Sequence, residues 1–369
     1  MNVPYFDLKA QYRGIRDEVL AALDRACGDA SFILGGEVAA FEEEFAAFCG
    51  TRHCVALNSG TSALHLALLA AGVGAGDEVI TTSNTFIATA ESVSYTGAVP
   101  VFVDIDPATA NLDPGLIEAA LTPRSKAIVP VHLYGRPADL ESILKVGERT
   151  GLAVIEDACQ AHGATYRGRP VGGFGLAATW SFYPAKNLGA YGEGGALTTN
   201  HDSVAALARE LRSHGESRRY YHDRIGFNYR MEGFQGAVLR IKLRHHRAWM
   251  ARRRQLVAIY RRALAGANLD LPQDRPDAES AYHLFTVYVD DRDRVRAALE
   301  ARGVGSAIHY PVPIHLQRAY ASLGYEHGSL PHTERACARV LSMPLFPEMT
   351  DEQVEHAAST LCDIVGRRA

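Results

Sequence analysis

The sequence predicts an α/β protein, with a large domain on a mixed, mostly parallel sheet flanked by helices and a smaller C-terminal α+β domain. Three observations carry this. Between Thr51 and Asn200, short β-branched apolar runs alternate with helix-like segments, the pattern of βα units feeding a parallel sheet. After Met231 the texture changes to a long stretch with apolar residues every three to four positions. A chain of 369 residues that is 47% hydrophobic can also bury enough core for two domains. The predicted division is 1–240 for the large domain with its N-terminal arm, and 241–369 for a small domain beginning in a long connecting helix.

In chain order the predicted strands are "HCVAL", "DEVITTS", "VPVFVDI", "KAIVPVHLYG", "LAVIED", "ATWSF" and "GALTTN". Three end at residues suited to chemistry: Asn58, Asp157 and Ser181. Ligands of open α/β sheets bind beyond the carboxyl ends of strands, so one crevice is expected to collect all three. The helical stretch from Glu232 to Gly266 carries many basic residues, but they are dispersed round it and read as a solvated face. The polar "LPQDRPDAES" at 271–280 reads as a linker or exposed loop. Beyond it "AYHLFTVYVD", "DRDRVRAALEARG" and the amphipathic stretch after Thr350 form the small unit.

Composition excludes several classes. A net charge of −4 and a pI near 6.4 provide no general field for nucleic acid or an acidic membrane. The six cysteines are scattered without C-x-x-C pairs, which argues against a zinc site and against a disulfide framework, and no metal is expected. No stretch approaches the ~18 apolar residues of a membrane span, and the start lacks the pattern of a signal peptide. The expected location is the cytoplasm.

Four pieces could carry chemistry. Lys186, in "SFYPAKNLGAYGEGG", follows an apolar strand and precedes glycines that let backbone approach a ligand; it is either a loop lysine or a carbonyl-attacking amine in a dry pocket. In "NSGTSALHLALLAAG", Gly60, Thr61 and Ser62 open a helix, as a plain N-cap or as a phosphate seat. No P-loop or dinucleotide fingerprint is present, so a phosphate held here suggests a monophosphate cofactor. Asp157 ends a buried strand, as a cap or as the anionic partner of a protonated ring nitrogen, with Gln160 able to reach the same ring. Phe86 is core or ring-stacking, and Ser181 adds a hydroxyl. His65 and His162 read as packing residues. Together these pieces match what pyridoxal phosphate requires.

These motifs, with "FDLKAQY", "LGGEVAAFEEEFAAFCG", "DEVITTSNTFIATA", "PVFVDIDPATANLDP", "IEDACQAHGA", "GFNYRMEGFQGAVL" and "HYPVPIHLQ", resemble the sugar aminotransferases of the DegT/DnrJ/EryC1/StrS family across nearly the whole chain. The resemblance implies the aspartate-aminotransferase-like fold type I of pyridoxal phosphate enzymes. It gives Lys186 the imine bond to the cofactor, Asp157 the pyridine nitrogen and Gln160 the phenolic side. Gly60, Thr61 or Ser62 and Ser181 form the phosphate cup, and Phe86 is the stacking aromatic. It also implies a homodimer with shared active sites, in which Asn228 reaches the neighbour's cofactor phosphate. Arg230, Tyr183, Tyr220, His222, Tyr310 and His315 fall where such enzymes meet the sugar. The expected donor is L-glutamate and the acceptor a nucleotide-linked keto-sugar. "Y-P-x-K-N-L-G" resembles members acting at carbon three more than those acting at carbon four. A lysine, where one branch has histidine, favours amino transfer over dehydration. A non-catalytic, cofactor-binding regulatory dimer is the alternative.

Overall fold

The protein was analysed as a computed structural model that describes residues 1–368. All seven stretches expected to be strands form one sheet: β1 (His53–Leu57), β2 (Glu78–Thr82), β3 (Val99–Val103), β4 (Ser125–Val129), β5 (Ala153–Asp157), β6 (Ala177–Ser181) and β7 (Gly195–Thr199). Their spatial order is β1-β7-β6-β5-β4-β2-β3. β2 lies parallel to β3 and β4, β4 to β5, and β5 to β6. Helices cover both faces, so the central strands are buried along most of their length.

β7 alone runs antiparallel to its neighbours, β1 and β6. The connection from β6 to β7 contains no crossover helix, and the chain turns back through an irregular loop of residues 182–194, which carries Lys186. Gly195 at the start of β7 is dictated by contact: a Cβ there would lie 2.2 Å from the backbone of Ser59. That closeness sets the turn from β1 into α3 (Gly60–Ala70), the helix after α1 (Leu8–Gly28) and α2 (Gly36–Cys49), where Ser59 Oγ accepts the Ser62 N–H at 3.0 Å as N-cap.

The small domain follows a long helix, Gly233–Ala263, so a boundary at 240/241 falls inside that helix. Strands Phe285–Tyr288 and Val340–Met343 pair antiparallel. Helices Arg292–Ala301 and Asp351–Val365 pack on them, the latter opened by a Thr350/Gln353 capping box. The core of this unit, with Leu256, Phe285, Val295 and Leu361, also takes in Val3, so the N-terminal arm crosses to it. The domains are tied by Asp104, beyond β3, whose carboxylate accepts the backbone N–H groups of His332 and Thr333 at 2.9 and 2.8 Å. It thereby caps the helix Pro331–Arg339 from a distance.

Two expectations are corrected. The basic residues of the long helix are not all solvated: Lys242, His246 and Arg253 are buried, with the Lys242 ammonium donating to the Gly189 carbonyl at 2.7 Å. The 271–280 segment is no free linker. Asp274 pairs with Arg136 and Arg261, and Ala278–Glu279 joins Thr165–Tyr166 in a small sheet. Among the described residues no helix is long and apolar enough to cross a membrane.

Candidate active site

A cavity of about 570 Å³ opens where the carboxyl ends of β5 and β6 meet the start of α3 and the small domain. Gly60, Thr61, Phe86, Asp157, Gln160, Ser181, Tyr183, Lys186 and Tyr310 all line it. Three further lining residues, Glu193, His283 and His309, were not singled out from the sequence. His309 directly precedes Tyr310 in a quoted motif, so its signal was present. Glu193 sits inside the glycine run and His283 in "AYHLF", where only the fold reveals proximity.

Asp157 is the last residue of β5 and is buried. Its carboxylate accepts the Thr89 hydroxyl at 2.8 Å and the Cys159 N–H at 3.2 Å, which fixes its orientation and leaves lone pairs toward the cavity. Neighbouring Glu156 points to the other face of the strand, where it accepts His132 Nε2 and the N–H groups of Gly172, Phe174 and Gly175.

Lys186 is enclosed by protein but reached from the cavity, and burial lowers the pKa of its amine, partly offset by Cys159 and Asp157. Its backbone is held by a bond to the Tyr183 carbonyl at 2.8 Å. On one side Asn187 donates to the Ala281 carbonyl at 2.7 Å, and on the other Lys242 holds Gly189. Burial and the nearby lysine push His309 down to about 4, and burial holds His283 well below the ordinary histidine range. Both imidazoles beside the amine are therefore neutral at physiological pH.

The start of α3 offers the Gly60 and Thr61 N–H groups, which have no intrahelical acceptor. A Cβ at Gly60 would fall 2.8 Å from Ser181 Cβ and 2.9 Å from Cys159 Sγ, so only glycine keeps this floor open. Ser62 is placed differently. Its hydroxyl donates to Asn58 Oδ1 at 2.7 Å, and neither residue lines the cavity, so of the three strand-end residues only Asp157 and Ser181 converge there. Gln160 is oriented by the Tyr134 N–H on its Oε1 at 2.7 Å, and donates from Nε2 to the Tyr310 hydroxyl at 3.2 Å. The Phe86 ring is 53% exposed and lies 5.7 Å from that of Tyr310.

The remaining candidates lie outside this lining. Asn228 and Arg230 bond each other at 2.9 Å on the surface. Tyr220 and His222 stand on an exposed hairpin, with Tyr220 77% exposed. His315 is fully buried between Ser83 and Glu334. His65 and His162 are buried against aromatic rings.

A half-buried amine, an oriented carboxylate, a glycine-floored helix terminus and an exposed aromatic face around one cavity fit what a pyridoxal-phosphate-dependent aminotransferase requires. The model of the DegT/DnrJ/EryC1/StrS aminotransferase family matches residues 14–362. This chain belongs to that family. It is 47% identical to a dTDP-3-amino-3,4,6-trideoxy-alpha-D-glucose transaminase of Streptomyces venezuelae over 95% of this chain and 93% of that one. It is 46% identical to a protein of Geobacillus stearothermophilus named pleiotropic regulatory protein, over 98% of each. A crystal structure of S. venezuelae DesV in complex with a ketimine intermediate superposes with a TM-score of 0.97, at 45% identity and full coverage of both chains. Solved relatives include one with bound pyridoxamine phosphate, and pyridoxal phosphate is the cofactor of this enzyme.

Proposed function

We propose that this enzyme transfers the amino group of L-glutamate to a nucleotide-linked keto-hexose at carbon three, as a homodimer in the cytoplasm. The observation that carries it is the placing of Lys186 and Asp157 in one cavity beside the glycine-floored start of α3. The position on the sugar draws on relatives named for amination at carbon three, a dTDP-sugar transaminase and a UDP-N-acetyl-3-dehydro-alpha-D-glucosamine 3-aminotransferase. The cytoplasmic assignment draws on six free cysteines.

When bound, the cofactor supplies an electron-poor ring that takes up the electron pair left as a proton departs the nitrogen-bearing carbon. The residues do the rest. The Gly60 and Thr61 N–H groups and the Ser181 hydroxyl bind the phosphate, and the helix dipole adds to their pull. Asp157, held by Thr89 and Cys159, keeps a proton on the ring nitrogen. Gln160 and Tyr310 sit on the phenolic side, and Phe86 bounds one face. Lys186, its basicity reduced by burial, takes the proton from one carbon and returns it to another. Neutral His283 and His309 add no competing charge. Both half-reactions use the one site, so the kinetics should be ping-pong.

The dimer reading rests on the surface. Tyr220, Tyr221 and Ile225 are exposed on the 213–230 arm, and Asn228 and Arg230 at its end bond each other and do not line their own cavity. They are fitted to a second copy's site. The deciding experiment incubates the purified enzyme with glutamate, then with nucleotide-linked 3-keto and 4-keto hexoses, and reads the products by mass spectrometry. An amino sugar from the 3-keto series is expected. Products only from the 4-keto series would overturn the position, and none with any keto-sugar would favour a regulatory protein.

A further inference from the structure

We infer that His315 is a positioning residue that sets the cofactor-facing loop through Ser83. This rests on the assignment of Phe86 to the cofactor's ring face. Ser83 follows β2 and begins the segment that delivers Phe86 and Thr89 to the cavity. Both Ser83 and His315 are wholly buried and out of reach of substrate.

The bonding pattern fixes the proton positions. Ser83 Oγ accepts the His315 backbone N–H at 2.9 Å, and its carbonyl accepts the Ile314 N–H at 3.2 Å. The Ser83 hydroxyl proton is then directed to His315 Nδ1, 2.8 Å away. With Nδ1 an acceptor, the remaining proton is on Nε2 and is donated to Glu334 Oε1 at 3.2 Å. Glu334 is itself held by the N–H groups of Gly328 and Leu330, at 2.9 and 3.1 Å. The small domain therefore grips the large domain's loop at its root.

The loop passes that grip to the chemistry. Thr85 bonds Thr89 at 2.9 Å, and Thr89 donates to Asp157 at 2.8 Å. Phe86 stands between these two threonines, three residues after Ser83. One imidazole thus sets both the aromatic face and a bond that orients the carboxylate, without touching either.

The test uses isosteres. Asparagine places an acceptor near the position of Nδ1 and keeps the Ser83 contact, whereas glutamine reaches toward Glu334 and loses it. His315→Gln and Ser83→Ala should each weaken pyridoxal phosphate binding to the apoenzyme by about tenfold. They should also lower the visible circular dichroism of the bound cofactor and speed amide exchange over residues 84–90. His315→Asn should stay within about twofold of the parent. Folded Ser83→Ala protein with unchanged affinity, dichroism and exchange would overturn the inference, as would His315→Asn losing as much as His315→Gln. Ser83→Ala removes one oxygen only, and it decides if His315→Gln fails to fold. Phe86→Ala serves as the separate control: if it leaves affinity and dichroism intact, the ring-face assignment itself is wrong.

Discussion

The cofactor side of the cavity and the 213–230 arm are built on opposite plans. On the cofactor side each polar group is held: Asp157 by two donors, Gln160 by Tyr134, Lys186 by a loop anchored at Asn187 and Gly189. On the arm, Tyr220, Tyr221 and Ile225 are exposed and the Arg230 side chain bonds only Asn228 and His214 of the same arm. The difference separates two tasks. Holding a cofactor in one geometry requires preorganisation within a chain, whereas under the proposed function the exposed arm would meet the sugar nucleotide together with a second copy.

The contrast can be broken most sharply at its centre. Lys186→Ala should cost at least about a thousandfold in kcat and abolish the visible band of the bound cofactor. A variant with both intact would end the assignment. Asp157→Ala should lower kcat by about a hundredfold, with phosphate-dependent cofactor retention largely kept. Rapid-quench and equilibrium dialysis together check this, and wild-type turnover would refute it.

The arm is sharpened by complementation. Lys186→Ala and Asn228→Ala proteins, each inactive alone, should regain up to about a quarter of wild-type activity when mixed, because hybrid dimers contain one intact site in two. No recovery after subunit exchange would remove the cross-subunit role. Tyr220→Ala should raise the KM for the sugar nucleotide by about fivefold with kcat kept, the signature of a contact equal in ground and transition states. A fall in kcat alone would contradict it.

The smallest effect concerns Lys242, beneath the lysine loop. Burial lowers its amine to about 7, with the nearby Glu348 carboxylate partly offsetting the drop. In the unfolded chain it titrates near ~10.4. Between those values the unfolded chain holds a proton that the folded one has released, so unfolding free energy rises with pH through that window. Denaturant titrations across it should show the rise in the parent and a flatter profile in Lys242→Met; parallel profiles would count against it.

All seven main strands were legible because β-branched runs bounded by Gly, Asn and Asp carry their own signal. The two-residue pairing of Ala278–Glu279 with Thr165–Tyr166 was not, since it is set by partners far apart in sequence. The same limit hid Lys242 and Arg253: helical spacing shows which face they share but not that Glu348 lies close enough to influence both. Around the cavity, Asp157, Ser181, Gly60 and Thr61 could be named in advance as strand-end and helix-start residues, whereas Asn58 and Ser62, named on the same ground, bond each other outside the lining. His309 and His315, six apart in one motif, could not be told apart until the fold turned one into the cavity and the other toward Ser83.

The reversal of β7 has a mechanical outcome. Ser181 and Gly195 are paired neighbours, with the Phe182 N–H bonded to the Gly194 carbonyl at 2.7 Å, so both feet of the nucleophile's segment stand on adjoining sheet rungs. Held at both ends, and between them by Asn187 and Gly189, the strap is restrained where Lys186 sits, whereas the Tyr220 hairpin stands exposed. A spectroscopic label beside the amine is therefore expected to move less through the catalytic cycle than one on the Tyr220 hairpin.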